Sequence, residues 1–206
     1  MKTLSKIKCS IIAALLACSF QASATTINFD VTNAPCCFSY TSPLTNYYSA
    51  SGVTFSGIGG LGGSILDQSG GFGFNALSGT DFLAFNTGAG TGNQERISFS
   101  DIQTSVSIFI ASLSNQTATL SAYNRGGHLI DSVSLSPSSS WQQLSVSGQA
   151  IGSVVIQGSN VFALDNLSFS AQGTTGAASV PEPTTIALLG LGLLGVAASR
   201  RKAAKK

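Results

Sequence analysis

TATLSAYNRGGHLIDSVSL, residues 117–135, decides the fold class. Two alternating runs, Thr117–Tyr123 and His128–Leu135, flank Asn124-Arg125-Gly126-Gly127, and alternation on both sides of a Gly-containing turn signals a β-hairpin. The same period recurs on either side. Ile27, Phe29 and Val31 share one face of Thr26–Val31, and Val53 and Phe55 do so before Gly57. Asp81–Phe85 and Arg96–Phe99 follow, and then Val106, Ile108 and Ile110 alternate with Ser105 and Ser107. Trp141–Val146, Val154–Gln157 and Val161–Phe169 complete the series. Nothing between Thr25 and Ser179 repeats at the helical period. The expectation is an all-β domain over residues 25–171, a β-sandwich of jelly-roll type. Residues 172–179 (QGTTGAAS) follow as a flexible linker. The glycines of Gly57–Gly73 lack a Walker lysine and a strand–helix setting, and read as a flexible loop or edge.

Two segments of different character flank this domain. At the start, Lys2, Lys6 and Lys8 precede an apolar stretch from Ile11 to Phe20, and Ala22-Ser23-Ala24 offers a small-residue cleavage site. This is the pattern of a secretory signal helix over residues 1–24, cut between Ala24 and Thr25. Leu15-Leu16-Ala17-Cys18 gives a competing reading, a lipoprotein box with Cys18 lipidated. At the end, residues 180–206 open on Val180-Pro181-Glu182-Pro183, continue as the uncharged run Ile186–Ala198 and close on Arg200, Arg201, Lys202, Lys205 and Lys206. The prolines hold the motif extended and keep a helix from starting early. Thr184 can cap the helix that follows. From Thr184 to Ser199 that helix reaches about 24 Å, short of the ~20 residues of a comfortable span. Bilayer thinning and snorkelling of the basic residues make up the difference, with the basic end on the cytoplasmic side.

With the two signals set aside, the charge changes sign. Every lysine lies in a signal, and Thr25–Ser179 carries only Arg96 and Arg125 against seven acidic residues, a net of −5, whereas the whole chain is +2. A mildly acidic domain without a basic patch argues against nucleic acid as a partner. About 155 residues suit one domain with a sizeable core.

Val180 to Lys202, with its Pro-Glu-Pro motif, apolar run and basic end, closely resembles the PEP-CTERM sorting signal of Gram-negative bacteria. The resemblance implies export, transient anchoring in the inner membrane, and recognition by an exosortase, a membrane-embedded cysteine transpeptidase or protease. It also implies association with exopolysaccharide, biofilm and the cell surface. Some domain collections call such a tail an ice-binding-protein C-terminal domain; that label describes the tail, and no ice binding is read from it. In the second half, the succession ISFS, VSIFI, TLSAYNRGG, SVSL, WQQLSV, SVVIQG and FALDNLSF resembles the β-sandwich domains often carried ahead of PEP-CTERM tails. More distantly it is similar to carbohydrate-binding jelly rolls.

Asp165 is singled out within that succession. Strict alternation puts it on the face of Leu167, and a buried carboxylate must be hydrogen-bonded, paired or bound to a cation. The resemblance to jelly-roll modules implies a structural calcium between first and last strands, held by Asp30 and Asp165, although Asp30 falls on the polar phase of its strand. The alternative is that Asp165 accepts from nearby backbone amides at a bulge. Cys36 and Cys37 are the only cysteines left after cleavage at Ala24, and an exported pair is expected to be oxidised. A vicinal disulfide is the leading reading, with intermolecular crosslinks or free thiols as alternatives.

Catalysis finds little support. His128 is the single histidine and follows a hairpin turn. No nucleophile elbow surrounds a serine, and no two carboxylates stand out as an acid–base pair. The expectation is a non-enzymatic surface or matrix protein without a cofactor, associated with exopolysaccharide. Tyr40, Tyr47, Tyr48 and Trp141 are candidate sugar contacts. The alternative is a secreted hydrolase acting on polysaccharide.

Overall fold

The computed structural model describes residues 24–57, 60–85, 92–114, 116–158 and 162–171. The expected signal helix, the linker and the whole of residues 180–206 lie outside them. Among the described residues no helix is long and apolar enough to cross a membrane.

The described chain is all-β and its strand pairings are antiparallel. Nine strands form it: β1 (Ala24–Ile27), β2 (Val53–Phe55), β3 (Ser64–Asp67), β4 (Asp81–Ala84), β5 (Gln94–Ser112), β6 (Ala118–Tyr123), β7 (Leu129–Leu135), β8 (Gln142–Gln157) and β9 (Phe162–Ala171). The hydrogen-bonded order is β3-β4-β9-β5-β8-β6-β7, with β1 on β9 and β2 on β5. The hairpin that set the fold class is β6–β7, and its turn closes through Gly127 N donating to Asn124 O at 3.0 Å.

Three readings of the sequence are corrected or narrowed. First, runs taken as separate strands fuse. Arg96–Phe99 and Val106–Ile110 are parts of one 19-residue β5, and Trp141–Val146 and Val154–Gln157 belong largely to one 16-residue β8. The pairing of β5 with β8 shifts register between Ser98 and Gln103 and again before Ser105. Second, of the loop or edge expected for the Gly-rich stretch, Ser64–Asp67 takes the edge, as a strand paired with β4. Third, β1 ends at Ile27, because Phe29 takes a left-handed backbone (φ 59°).

The register shifts bend both long strands, so one continuous sheet has two halves. One holds β2, the first part of β5, the second part of β8, β6 and β7; the other holds β1, β3, β4, β9 and the remaining parts of β5 and β8. Ile97, Phe99, Leu120, Val154 and Ile156 of the first half join Val106, Ile108, Leu144, Leu164 and Leu167 of the second in one core. Fully burying such side chains is worth about 1.5–3 kcal/mol each. Phe29 enters this core edge-on to Tyr48 and Phe55, with centroids 5.9 and 6.1 Å away. That burial offsets its left-handed backbone, which costs roughly 1–2 kcal/mol.

Candidate functional site

A second, smaller apolar cluster covers the opposite face of β4 and β9. Leu66, Phe82, Ala84 and Ala163 are buried there under the partly buried Phe38, Phe72, Phe74, Ala76 and Trp141. Sequence periodicity missed this layer, because Phe72 and Phe74 sit in a loop between β3 and β4. The rings pack edge-on: Phe38 on Phe72 at 5.6 Å, Phe72 on Phe82 at 5.4 Å and Phe74 on Trp141 at 5.9 Å. Trp141 Nε1 donates to Asn75 O at 2.9 Å, which fixes the indole.

The loop that follows is held by carboxylates. Asp165 Oδ2 accepts from Leu77 N at 2.9 Å and Ser78 N at 3.2 Å, and its Oδ1 accepts from Asn166 N at 2.7 Å. Asp30 Oδ1 accepts from Thr80 N at 2.9 Å and Asp81 N at 3.2 Å, and its Oδ2 from Asn28 Nδ2 at 2.7 Å. Asp81 Oδ2 in turn accepts from Val31 N at 2.9 Å. The two aspartates singled out from sequence thus meet on one loop, residues 77–81, and their oxygens are engaged by amide groups. No group of three or more His, Cys, Asp or Glu that could hold a metal occurs among the described residues.

Asp165 does not share the face of Leu167. Asn166 is left-handed (φ 49°), and the β5–β9 register shifts between Ser107 and Phe109, so Phe109 faces Asp165 while Ser107 faces Ser168. A bulge inserts one residue and reverses the alternation beyond it. Asp165 therefore lies on the face of Ala163. It is fully buried, and desolvation pushes its carboxyl up to about 6 against the pull of the Ser78, Asn166 and Leu77 amides.

Glu95 is the residue that the sequence reading passed over. It is fully buried on the core phase of β5, with Ile97 and Phe99. Its Oε2 accepts from Gly63 N at 2.6 Å, while its Oε1 has no partner among the described residues. Desolvation raises its carboxyl to about 7, opposed by the backbone amides of Gly63, Ser56 and Arg96. Gly57 and Gly63 lie against it, and a Cβ at either would crowd Oε2, at 2.7 and 3.1 Å. Period-two phase was the available signal: an acid in step with two buried apolar residues.

The remaining candidates are dispersed. Cys36 and Cys37 form a vicinal disulfide on an exposed turn, their Cα atoms 3.8 Å apart. A Cβ on Gly70 would strike the Cys36 carbonyl, so this turn sits directly on the β3–β4 loop. Tyr40 and Tyr47 are exposed at 78% and 63%, whereas Tyr48 packs on the core. His128 is exposed in its turn. Ala24 and Thr25, the expected cleavage pair, open β1 opposite Ser170 and Phe169. Val180, Pro181, Glu182 and Pro183 lie outside the described residues, as does Cys18.

Residues 179–202 match the PEP-CTERM protein-sorting motif. No curated protein matches the chain. Among solved structures, the K2 cleaved adhesin domain of Lys-gingipain is similar at 13% identity and TM-score 0.45, covering 71% of this chain and 99% of its own. The K1 cleaved adhesin domain of Lys-gingipain from Porphyromonas gingivalis W83 is 12% identical at TM-score 0.44, covering 73% and 99%. A mutant of a family 29 carbohydrate binding module is 10% identical at TM-score 0.44, covering 78% and 99%.

Proposed function

We propose that this chain, which carries a PEP-CTERM protein-sorting motif at residues 179–202, is an exported, non-enzymatic cell-surface or matrix protein. Its β-sandwich domain associates with exopolysaccharide. A signal peptide directs export and is cut after Ala24. The C-terminal tail then anchors the protein in the inner membrane until an exosortase acts at Val180–Pro183. The match to the sorting motif carries this reading. Nucleic acid is no partner, because a domain with two arginines and seven acids repels a polyanion.

A binding role is favoured over hydrolysis by where the ionisable groups sit. Glu95 and Asp165 hold protons more tightly than ordinary carboxyls, as a general acid would, yet each is fully buried and out of a substrate's reach. His128 stands exposed on a turn with its backbone N donating to Asn124 Oδ1 at 3.0 Å.

Deleting Pro181–Pro183 should leave the protein in the inner membrane with its tail intact. Mass spectrometry of surface-released wild-type protein should find a C-terminus short of Lys206, and an intact Lys206 on released material would sink the sorting step. The same released protein should co-precipitate with the host's exopolysaccharide without liberating reducing sugar.

A further inference from the structure

On the outer face of the β1–β9–β5–β8 half, strand register lines up hydroxyl groups. One row crosses four strands as Thr26, Ser168, Ser107 and Ser145, and the next as Ala24, Ser170, Ser105 and Ser147. Their chain neighbours Ile27, Leu167, Val106, Ile108, Leu144 and Val146 are buried in the core, so strand alternation turns the hydroxyls outward. With strands ~4.8 Å apart and alternate residues ~6.8 Å apart, the rows form a regular grid about 14 Å wide. Farther along the same face lie the half-buried ring of Phe109, whose register partner on β8 is the exposed Gln143, and then the fixed indole of Trp141.

Among the described residues, most of these hydroxyls are free. The other half of the sheet also carries serine and threonine rows, and several of these are used internally: Thr119 with Ser134 at 2.8 Å, Ser121 with Ser132 at 3.0 Å, and Ser153 accepting from Arg96 at 3.0 Å. On the β1–β9–β5–β8 face, among the described residues, only the hydroxyls of Thr26 and Ser168 pair, at 2.8 Å. The hydroxyls of Ser105, Ser107, Ser145 and Ser147 meet no partner among the described residues. Each can donate one hydrogen bond and accept two. No charged side chain stands among them. Two carboxylates border the face: Asp165 is held by loop amides, and Asp131 stands at the rim of the grid, where its Oδ2 accepts from Ser147 N at 2.9 Å.

An uncharged grid of free donor–acceptors, ending in aromatic rings, fits a polymer that is itself uncharged, hydroxyl-rich and apolar on its ring faces. We propose that this face binds an uncharged polysaccharide lying across β9, β5 and β8. The proposal rests on the polysaccharide reading above and names its surface and ligand class. An anionic polymer would gain no counter-charge here from a domain of net −5.

The test is affinity gel electrophoresis of the exported protein recovered from the host surface. The gels contain mixed-linkage β-glucan, xylan or galactomannan as neutral probes, or alginate as an anionic one. At least one neutral probe should retard the wild type. Ser107→Glu and Ser145→Glu should each weaken that binding at least tenfold, and Ser134→Glu on the other half should leave it unchanged. Ser145 is exposed on an edge segment, so its variant remains informative if Ser107→Glu misfolds. Wild-type-like binding by Ser145→Glu would overturn the face while leaving the polysaccharide reading intact. Retardation by alginate alone would overturn the uncharged ligand. If no probe retards the wild type, both the face and the underlying reading fall.

Discussion

Glu95 is an acid in the place of a core side chain. Its carboxyl titrates at about 7 instead of 4.5, and that of Asp165 at about 6 instead of 3.8, in both cases mainly through desolvation. Both groups bind a proton more tightly folded than unfolded. The stability they confer is complete below their ordinary values and is lost as pH rises through 6 and then 7. The melting temperature should therefore fall between pH 5 and pH 8. Glu95→Gln should flatten this slope and raise the pH 8 melting point; an unchanged slope would show that another group titrates. Asp165 has a second part to play, since its oxygens serve three amides. Asp165→Ala leaves those donors unpaired and should cost about 1–3 kcal/mol in chemical denaturation. A chelator should leave the wild-type melting temperature where it is, because amides engage both Asp30 and Asp165. A drop on chelation would favour the calcium reading.

The elements owe their shape to a few unusual backbones. β8 changes sheet half between Ser147 and Ile151, where the pairing with β5 shifts and Ala150 adopts φ 68°. A left-handed alanine costs roughly 1–2 kcal/mol, which glycine avoids. Ala150→Gly should thus stabilise the domain by about 0.5–1 kcal/mol, and Ala150→Val should destabilise it, both read from urea midpoints. Asn166 performs a similar task in β9 with a residue type that tolerates the left-handed region, and there the turn of the chain redirects Asp165. None of this shows in alternation, which registers a change of phase but not the residue responsible. β3 was obscured for a related reason. Its four residues lie between glycines whose missing side chains let backbone and Glu95 approach, so composition leaves loop and edge open where pairing makes an edge.

At the scale of the molecule, β1 ties the start of the domain to its last strand, since Thr25 faces Phe169 and Ile27 faces Leu167. The proposed cleavage after Ala24 would remove the signal without breaking into the buried part of this pairing. Released protein should begin at Thr25 by mass spectrometry, unlipidated; a terminus at Cys18 bearing lipid would reverse that assignment. The two ends of the described domain thus meet on one pair of strands, and the residues that complete the sorting signal follow β9 in sequence.

The amino-acid sequence by itself determined the all-β class, the hairpin at Asn124–Gly127, the sorting motif and the acidic, lysine-free domain. Each follows from local chemistry: side-chain alternation in a strand, the turn preference of Asn and Gly, an uncharged run bounded by prolines and basic residues. Only the tertiary structure decided that four apparent strands are two long bent ones. It also decided that Asp165 faces away from Leu167, that Glu95 is buried, and that serines from separate strands stand in rows. These features depend on register and desolvation, which are set by partners dozens of residues away. Shifting a strand by one residue would reverse every face while leaving its local pattern unaltered.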